Sequence, residues 1–319
     1  MEKLPLLSPA PHLHSSETTG QVMWTVVLAL LPAAAGSIFF FGLRALKIMA
    51  VTVVTCLVTE AASQAVFHRP VRVKDGSAVV TGLLLSFVLP PRLPLWMAAL
   101  GGFSAIFLVK ELFGGLGYNI FNPALAARAI LLASFPVEMT RFYPPFQTGV
   151  DAVSGATPLT AVKEHLAGPL PSLKEMFLGV RAGCLGETSV LLLLLGAALL
   201  LARRIITWHI PLAYLATVAV LSAIFRQNVA FQLLAGGLIL GAFFMATDYV
   251  TSPLTSRGKL IFGIGCGIIT VLIRMQGGYP EGVCYAILFM NMLVPMIDRL
   301  TYPVRYGAVL PEKKSSGQA

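Results

Sequence analysis

Long apolar stretches separated by short polar breaks run through most of the chain, at about 22–42, 46–67, 76–91, 94–112, 120–137, 187–202, 209–225, 229–248, 259–276 and 281–298. A helix needs roughly 20 mostly apolar residues to cross a bilayer, and these ten stretches approach that length. They predict an all-α polytopic membrane protein with about ten transmembrane helices. Several stretches are short or broken by Gly and Pro. The clearest is 76–91, which ends in Leu89-Pro90-Pro91 and reads as a half-helix or a tilted span. Backbone that leaves the helix at membrane depth is tolerated only where protein or a cavity buries it. Such breaks therefore point to a binding or transport site.

The polar stretch at 138–186 divides the spans five and five. The chain thus reads as a tail at 1–20, a first five-helix half at 21–137, the segment 138–186, a second half at 187–299 and a tail at 300–319. An odd number of spans per half gives the halves opposite topology. Gly82-Leu83-Leu84-Leu85 in the third span is matched by Gly237-Leu238-Ile239-Leu240 in the eighth. The fourth and ninth spans end in Gly114-Gly115 and Gly277-Gly278, each followed by a Tyr and a Pro. These likenesses predict a 5+5 inverted repeat.

Composition sharpens this. Of 319 residues, 56% are hydrophobic and 12% charged, with a mean hydropathy of +0.81. Soluble domains carry about 25% charge, so a soluble enzyme, a disordered chain and a nucleic-acid binder are excluded. The net charge of +9 is explained by where it falls. With the N-terminus inside, the inner loops hold Lys3, Arg69, Arg72, Lys74, Lys110, Arg203, Arg204, Arg257, Lys259, Arg299, Arg305, Lys313 and Lys314. The short outer loops hold only Arg44, Lys47, Arg92, Arg226 and Arg274. Positive charge stays inside, so both termini are expected in the cytoplasm and 138–186 outside. Residues 1–20 lack the apolar core of a secretory signal and read as a tail with His12 and His14 solvated. Cys56, Cys184, Cys266 and Cys284 form no C-x-x-C pair, so no metal site is expected in this chain and the thiols are read as small hydrophobes.

The segment 138–186 is unlike the rest. It is aromatic and Pro-rich from Arg141 to Phe146, then runs Asp151-Ala152-Val153-Ser154-Gly155-Ala156-Thr157-Pro158. On residue chemistry alone the leading reading is structural: Thr157 caps a short helix that starts at Pro158. The string Asp-x-x-Ser-Gly-Ala-Thr, however, resembles the flavinylation motif of membrane subunits of the sodium-pumping NADH:quinone reductase and the related Rnf complexes. Further blocks follow in the same order: Asp75-Gly76-Ser77 with Thr81 to Leu85; Lys110 to Asn119; Phe121-Asn122-Pro123-Ala124; Leu185 to Ser189; Met245 to Asp248 with Pro253; and Gly277 to Gly282. The resemblance covers nearly the whole chain. It favours the D subunits of Rnf-type complexes, because the B subunits of the quinone reductase are usually longer before the first span.

That resemblance implies FMN joined to the Thr157 hydroxyl by a phosphoester bond, made from FAD by a flavin transferase outside the membrane. Ser154, Gly155 and Ala156 complete the motif. Small Gly155 and Ala156 leave room for transferase and phosphate, and Asp151 orients the loop or assists deprotonation. It also implies a second, noncovalent riboflavin-type cofactor, and electron transfer between reduced ferredoxin and NAD coupled to Na⁺ or H⁺ movement across a prokaryotic inner membrane. The chain has neither a dinucleotide fingerprint nor a Cys cluster. Flavoprotein and iron–sulfur partner subunits would then carry those sites, and the chain is not catalytic alone. The alternatives are a B-like quinone reductase subunit and a non-redox channel or secondary transporter.

Ionisable residues inside spans are functional candidates. Arg128, in the fifth span, either contacts flavin phosphate or substrate, or forms a structural pair for which Glu60 in the second span is the candidate. Asp248, beside Thr247 and ahead of Thr251 and Ser252, offers oxygen ligands to a monovalent cation. Asp298 and Glu111 stand behind it as further ion-pathway candidates. Trp208 and His209 mark an interface at the start of a span.

Overall fold

The computed structural model describes residues 18–146, 155–164, 170–278 and 281–303. Asp151 and Ser154 of the proposed motif lie outside the described residues, as do most of both tails. Every element among the described residues is helical, and the lone β contact is an isolated antiparallel bridge between Phe142 and Gly155.

The ten apolar stretches all form helices. In the first half these are α1 (Thr19–Phe41), α2 (Leu43–Val66), α3 (Ser77–Phe87), α4 (Leu95–Phe103) and α5 (Pro123–Ser134). Thr18 and Gln21 close a capping box at the start of α1, and Gly42, at φ +68°, turns the chain directly into α2. The expected half-helix is present: α3 begins after the left-handed Gly76 and stops short of Pro90. After α4 the chain continues as a π-helix, Ser104–Glu111, with Leu112 N–H bonded to Phe107 O at 3.1 Å. The wider turn buries both Lys110 and Glu111.

The stretch between the two halves contributes α6 (Pro136–Met139), α7 (Pro158–Lys163) and α8 (Leu173–Leu178). The second half holds α9 (Val190–Ala202), α10 (His209–Ile224), α11 (Val229–Leu234), α12 (Leu238–Leu240), α13 (Ser256–Gln276) and α14 (Val283–Thr301). The eighth stretch is broken. It runs as α11, turns through Gly236 at φ +65°, and resumes as α12 with a π-helical extension, Gly241–Met245. α1, α2, α13 and α14 are long and apolar enough to cross a membrane, and α3, α5, α9 and α10 are shorter apolar helices.

Packing repeats between the halves. α2 lies along α4 with Thr52 near Gly102 and Glu60 near Lys110, so the two run parallel. α10 lies along α13 with Ile210 near Gly263 and Thr217 near Gly267, again parallel. α5 packs on α4 as α14 packs on α13. Across the halves α1 meets α9 in opposite sense, Gly36 against Leu192 and Ala29 against Gly196. Small residues set these approaches, as in other membrane helix pairs.

At Gly196 a Cβ would stand 2.0 Å from the Ala29 carbonyl oxygen. Gly196→Val is therefore expected to force α1 and α9 apart at a cost of about 1–3 kcal/mol, read as a lower thermal unfolding midpoint in detergent. Gly183→Ala, with nothing within 4 Å of the new Cβ, should leave the midpoint unchanged. Equal midpoints for the two variants would contradict the α1–α9 apposition.

Candidate functional site: two buried charge networks and an outer groove

The first network joins α2 to the π turn after α4. Lys110, only 2% exposed, donates from Nζ to Glu60 Oε1 at 2.6 Å and to Ser77 Oγ at 2.7 Å. Gln64 Nε2 reaches Glu60 Oε1 at 3.3 Å and Glu111 Oε1 at 3.4 Å, and Arg69 Nη1 lies 3.6 Å from Glu111 Oε2. Asp75 Oδ1 accepts from the N–H and hydroxyl of Ser77, which sets the first turn of α3. Glu60 Oε2 is buried without a hydrogen-bond partner among the described residues. Glu60 is thus the partner of Lys110. The expected pairing of Glu60 with Arg128 is not formed, because the π turn brings Lys110 to the face of α2 that carries Glu60.

Ser77 and Lys110 also line a largely apolar cavity between the halves, together with Asn119, Asn122, Thr247 and Asp248. Asn122 Oδ1 caps α5 through Ala124 and Leu125 N–H, while its Nδ2 donates to Met245 O at 3.2 Å. One side chain therefore ends one interrupted helix and starts another in the opposite half. Asp248 Oδ2 accepts from the Thr251 hydroxyl at 3.1 Å. The other two ion-pathway candidates are held elsewhere: Asp298 Oδ1 accepts from Leu254 N–H, and Glu111 belongs to the α2 network. The cavity thus gathers Asp248 with Lys110, whereas Asp298 and Glu111 are anchored by separate partners.

The second network centres on Arg128. Its Nη1 meets Glu187 Oε1 at 3.2 Å, and its Nη2 is bonded to Glu281 Oε2. The helix-borne guanidinium thereby ties α5 to the segment before α9 and to the start of α14. Of the two roles read for Arg128, pairing is the one its hydrogen bonds fill. Cys184 Sγ and the Glu187 and Glu281 carboxylates lie within 4.8 Å of one another. Arg128 bonds both carboxylates and two further arginines lie beside them, which leaves a cation little to gain there. Two more arginines adjoin: Arg181 donates to Leu234 O and Glu187 O, and Arg274 to Gln232 and Ala235. They satisfy carbonyls freed where the helix breaks between α11 and α12.

Lys110, Glu187, Glu281, Arg181 and Arg274 were not singled out from the sequence. Lys110 and Arg274 were counted there as loop charges and are in fact buried. They leave the inner and outer tallies by one residue each, so the inward bias of positive charge is unaltered. For Lys110, Glu187 and Glu281 the available signal was their place in motif blocks, whereas Arg181 and Arg274 lie outside those blocks.

In the segment 138–186, Thr157 caps α7 as expected. Its Oγ1 accepts from Thr160 N–H at 3.2 Å and lies 2.8 Å from Thr160 Oγ1, with Pro158 at the first helical position. Gly155 N–H bonds to Phe142 O at 2.9 Å, pinning the motif to the aromatic stretch. A groove lined by Pro144, Ala156, Pro158, Ala161, Glu175 and Arg181 flanks the threonine. At its rim the Ser172 N–H and hydroxyl hold the Glu175 carboxyl below the usual carboxylate range.

The helical bundle, with interrupted spans and ion pairs at depth, defines a multi-pass membrane protein that handles charge inside the bilayer. The chain belongs to the NQR2, RnfD, RnfE family, whose model matches residues 6–307. It is 46% identical to the D subunit of the proton-translocating ferredoxin:NAD(+) oxidoreductase complex of Clostridium ljungdahlii, over 94% of this chain and 96% of that one. It is also 46% identical to the D subunit of the Na(+)-translocating ferredoxin:NAD(+) oxidoreductase complex of Acetobacterium woodii, over 97% of each. The D subunit of the ion-translocating oxidoreductase complex of Stutzerimonas stutzeri is 42% identical over 90% of this chain and 92% of that one.

Removing one partner of a buried pair costs about 3–5 kcal/mol, whereas replacing both is often neutral. Lys110→Met should therefore lower the unfolding midpoint markedly, and adding Glu60→Gln should recover most of the loss. A double variant as unstable as Lys110→Met would show that Glu60 is not the partner.

Proposed function

We propose that this chain is the membrane subunit of an ion-translocating ferredoxin:NAD oxidoreductase complex of the Rnf type, carrying FMN on Thr157. The observation that carries the reading is the placement of Thr157 at the head of α7, against a groove, within the motif and within a chain that matches D subunits over nearly its full length. When bound, FMN supplies one- and two-electron carriage.

The residues fit that group. An ester oxygen at Thr157 still accepts from Thr160 N–H, so the cap survives modification, and Thr160 Oγ1 becomes the donor in the hydroxyl pair. Gly155 and Ala156 keep the approach narrow in side chains. Thr157 is only 4% exposed, so the first turn of α7 opens to admit a flavin transferase acting from outside. On this reading both termini are cytoplasmic and 138–186 is extracytoplasmic. Partner subunits with flavin and iron–sulfur centres deliver and accept electrons.

The second, noncovalent flavin is implied by the family resemblance alone. The inner cavity, about 90 Å³ and mostly apolar, is smaller than the roughly 300 Å³ at which ligand pockets begin, and the Asn122 amide in its wall is spent on Ala124, Leu125 and Met245. Asp248, bonded to the Thr251 hydroxyl, and the fixed Lys110 ammonium place an oxygen ligand and a positive charge at the same cavity. There a change in ligand charge biases ion access by its differential stabilisation of two states.

With its transferase, the native chain is expected to fluoresce as a flavoprotein band in a denaturing gel and Thr157→Ala to be dark. A dark native chain would instead favour a non-redox transporter. Thr157→Ala also removes the cap, at about 1 kcal/mol. Asp248→Asn should reduce ion-dependent turnover of the complex several-fold, and unchanged ion uptake would remove Asp248 from the pathway.

A further inference from the structure

Among the described residues, two buried guanidiniums near the Thr157 segment form no ion pair of their own. Arg181, 5% exposed, donates to Leu234 O at 2.6 Å and to the backbone oxygen of Glu187. Arg274, 6% exposed, donates to Gln232 O at 2.7 Å, Gln232 Oε1 at 2.9 Å and Ala235 O at 3.0 Å. The adjacent carboxylates, Glu187 and Glu281, are engaged by Arg128. Among the described residues, three guanidiniums here share two carboxylates. Carbonyl dipoles solvate a cation but do not neutralise it, and a neutral amide donor would cap the same carbonyls. Three positive charges against two negative leave one cation in surplus here, and a charged group is more than the broken helix needs to cap its carbonyls.

The surplus lies beside the flavin threonine. Arg181 lines the groove that Ala156 and Pro158 also line, on either side of Thr157. A Cβ at Gly155 would meet Ala182 Cβ at 3.9 Å, which sets the motif directly against the segment that carries Arg181. On the other side, Leu159 reaches to 3.0 Å from a Cβ built at Gly236, a position 3.4 Å from Arg274 Nη2. Lys163, which donates to Ile273 O at 3.3 Å, adds a further cation on α7.

We propose that Arg181 and Arg274 form the electrostatic seat of the group on Thr157. They balance the permanent charge of the phosphodiester and stabilise the negative charge that each electron from a partner iron–sulfur centre adds to the flavin. Their carbonyl partners fix both guanidiniums beforehand, so no reorganisation accompanies the arriving charge. The seat raises the midpoint potential of this flavin above that of one without it. Both are positioning residues, and the proposal rests on the FMN reading above.

The test is a spectroelectrochemical titration of the complex, with the signal of this flavin taken as the difference between the native and Thr157→Ala complexes. Arg181→Gln and Arg274→Gln should each lower the midpoint potential, and Arg181→Lys should stay near the native value. Glu281→Gln, which removes a negative charge from the same cluster, should raise it. A tenfold change in the reduced-to-oxidised ratio reads as about 59 mV for one electron, and at least that is expected for Arg181→Gln. Arg141→Gln, on an exposed residue paired only with Glu138, should leave the potential unchanged. Attached flavin at the native potential in both Gln variants of the arginines would overturn the proposal. Should those variants fail to assemble, Glu281→Gln decides, and a potential that does not rise overturns it. A native chain without flavin would overturn the FMN reading first, and the fluorescent band distinguishes that failure from this one.

Discussion

The ion pairs of Arg128 with Glu187 and Glu281 hold three distant stretches of chain at one point. A charge taken out of water must be met by a counter-charge and by hydrogen bonds, or the desolvation cost is not recovered. That constraint fixes where α5, the segment before α9 and the start of α14 can lie. Lys110 with Glu60 and Ser77 imposes the same constraint between α2, the π turn and α3. Between these two clamps the bundle packs through glycine contacts at α1–α9, α2–α4 and α10–α13. Loss of a clamp, at about 3–5 kcal/mol, is large against the roughly 5–15 kcal/mol that usually separates folded from unfolded chains.

The interruptions follow from the same need. Broken helices expose carbonyls that the bilayer cannot satisfy, and Arg181 and Arg274 meet them at the gap between α11 and α12. Asn122 does so between Met245 and α5. These junctions border the outer groove and the inner cavity, so the places where the backbone departs from the helix are also those where a ligand can lie. The two 46% identical relatives differ in the ion named for them, proton in one and Na⁺ in the other. Overall likeness therefore does not fix which ion is carried.

Much of this was legible in the sequence where the determinant is local. Hydropathy marked all ten helical stretches, Leu89-Pro90-Pro91 marked the end of α3, and Thr157-Pro158 marked the cap of α7. The charge networks were not legible, because their partners are remote. Arg128 and Glu281 lie 153 positions apart, and Lys110 and Glu60 lie 50 apart. Nothing in either residue's neighbourhood says which acid it will meet, and Glu60 was assigned to the wrong cation. Lys110 was read as a loop residue because the π turn that carries it inward has no pattern of its own. Of the three residues read as ion-pathway candidates, Asp248 lines the cavity, whereas Asp298 and Glu111 have partners elsewhere.

The central claim is that the outer threonine carries the electron carrier of this subunit. Mass spectrometry of peptides from the purified complex tests it most directly. The account predicts that the peptide containing Thr157 is heavier by one FMN less one water, with the added mass on the threonine oxygen. An unmodified Thr157 peptide at full yield from a complex that still turns over would contradict it.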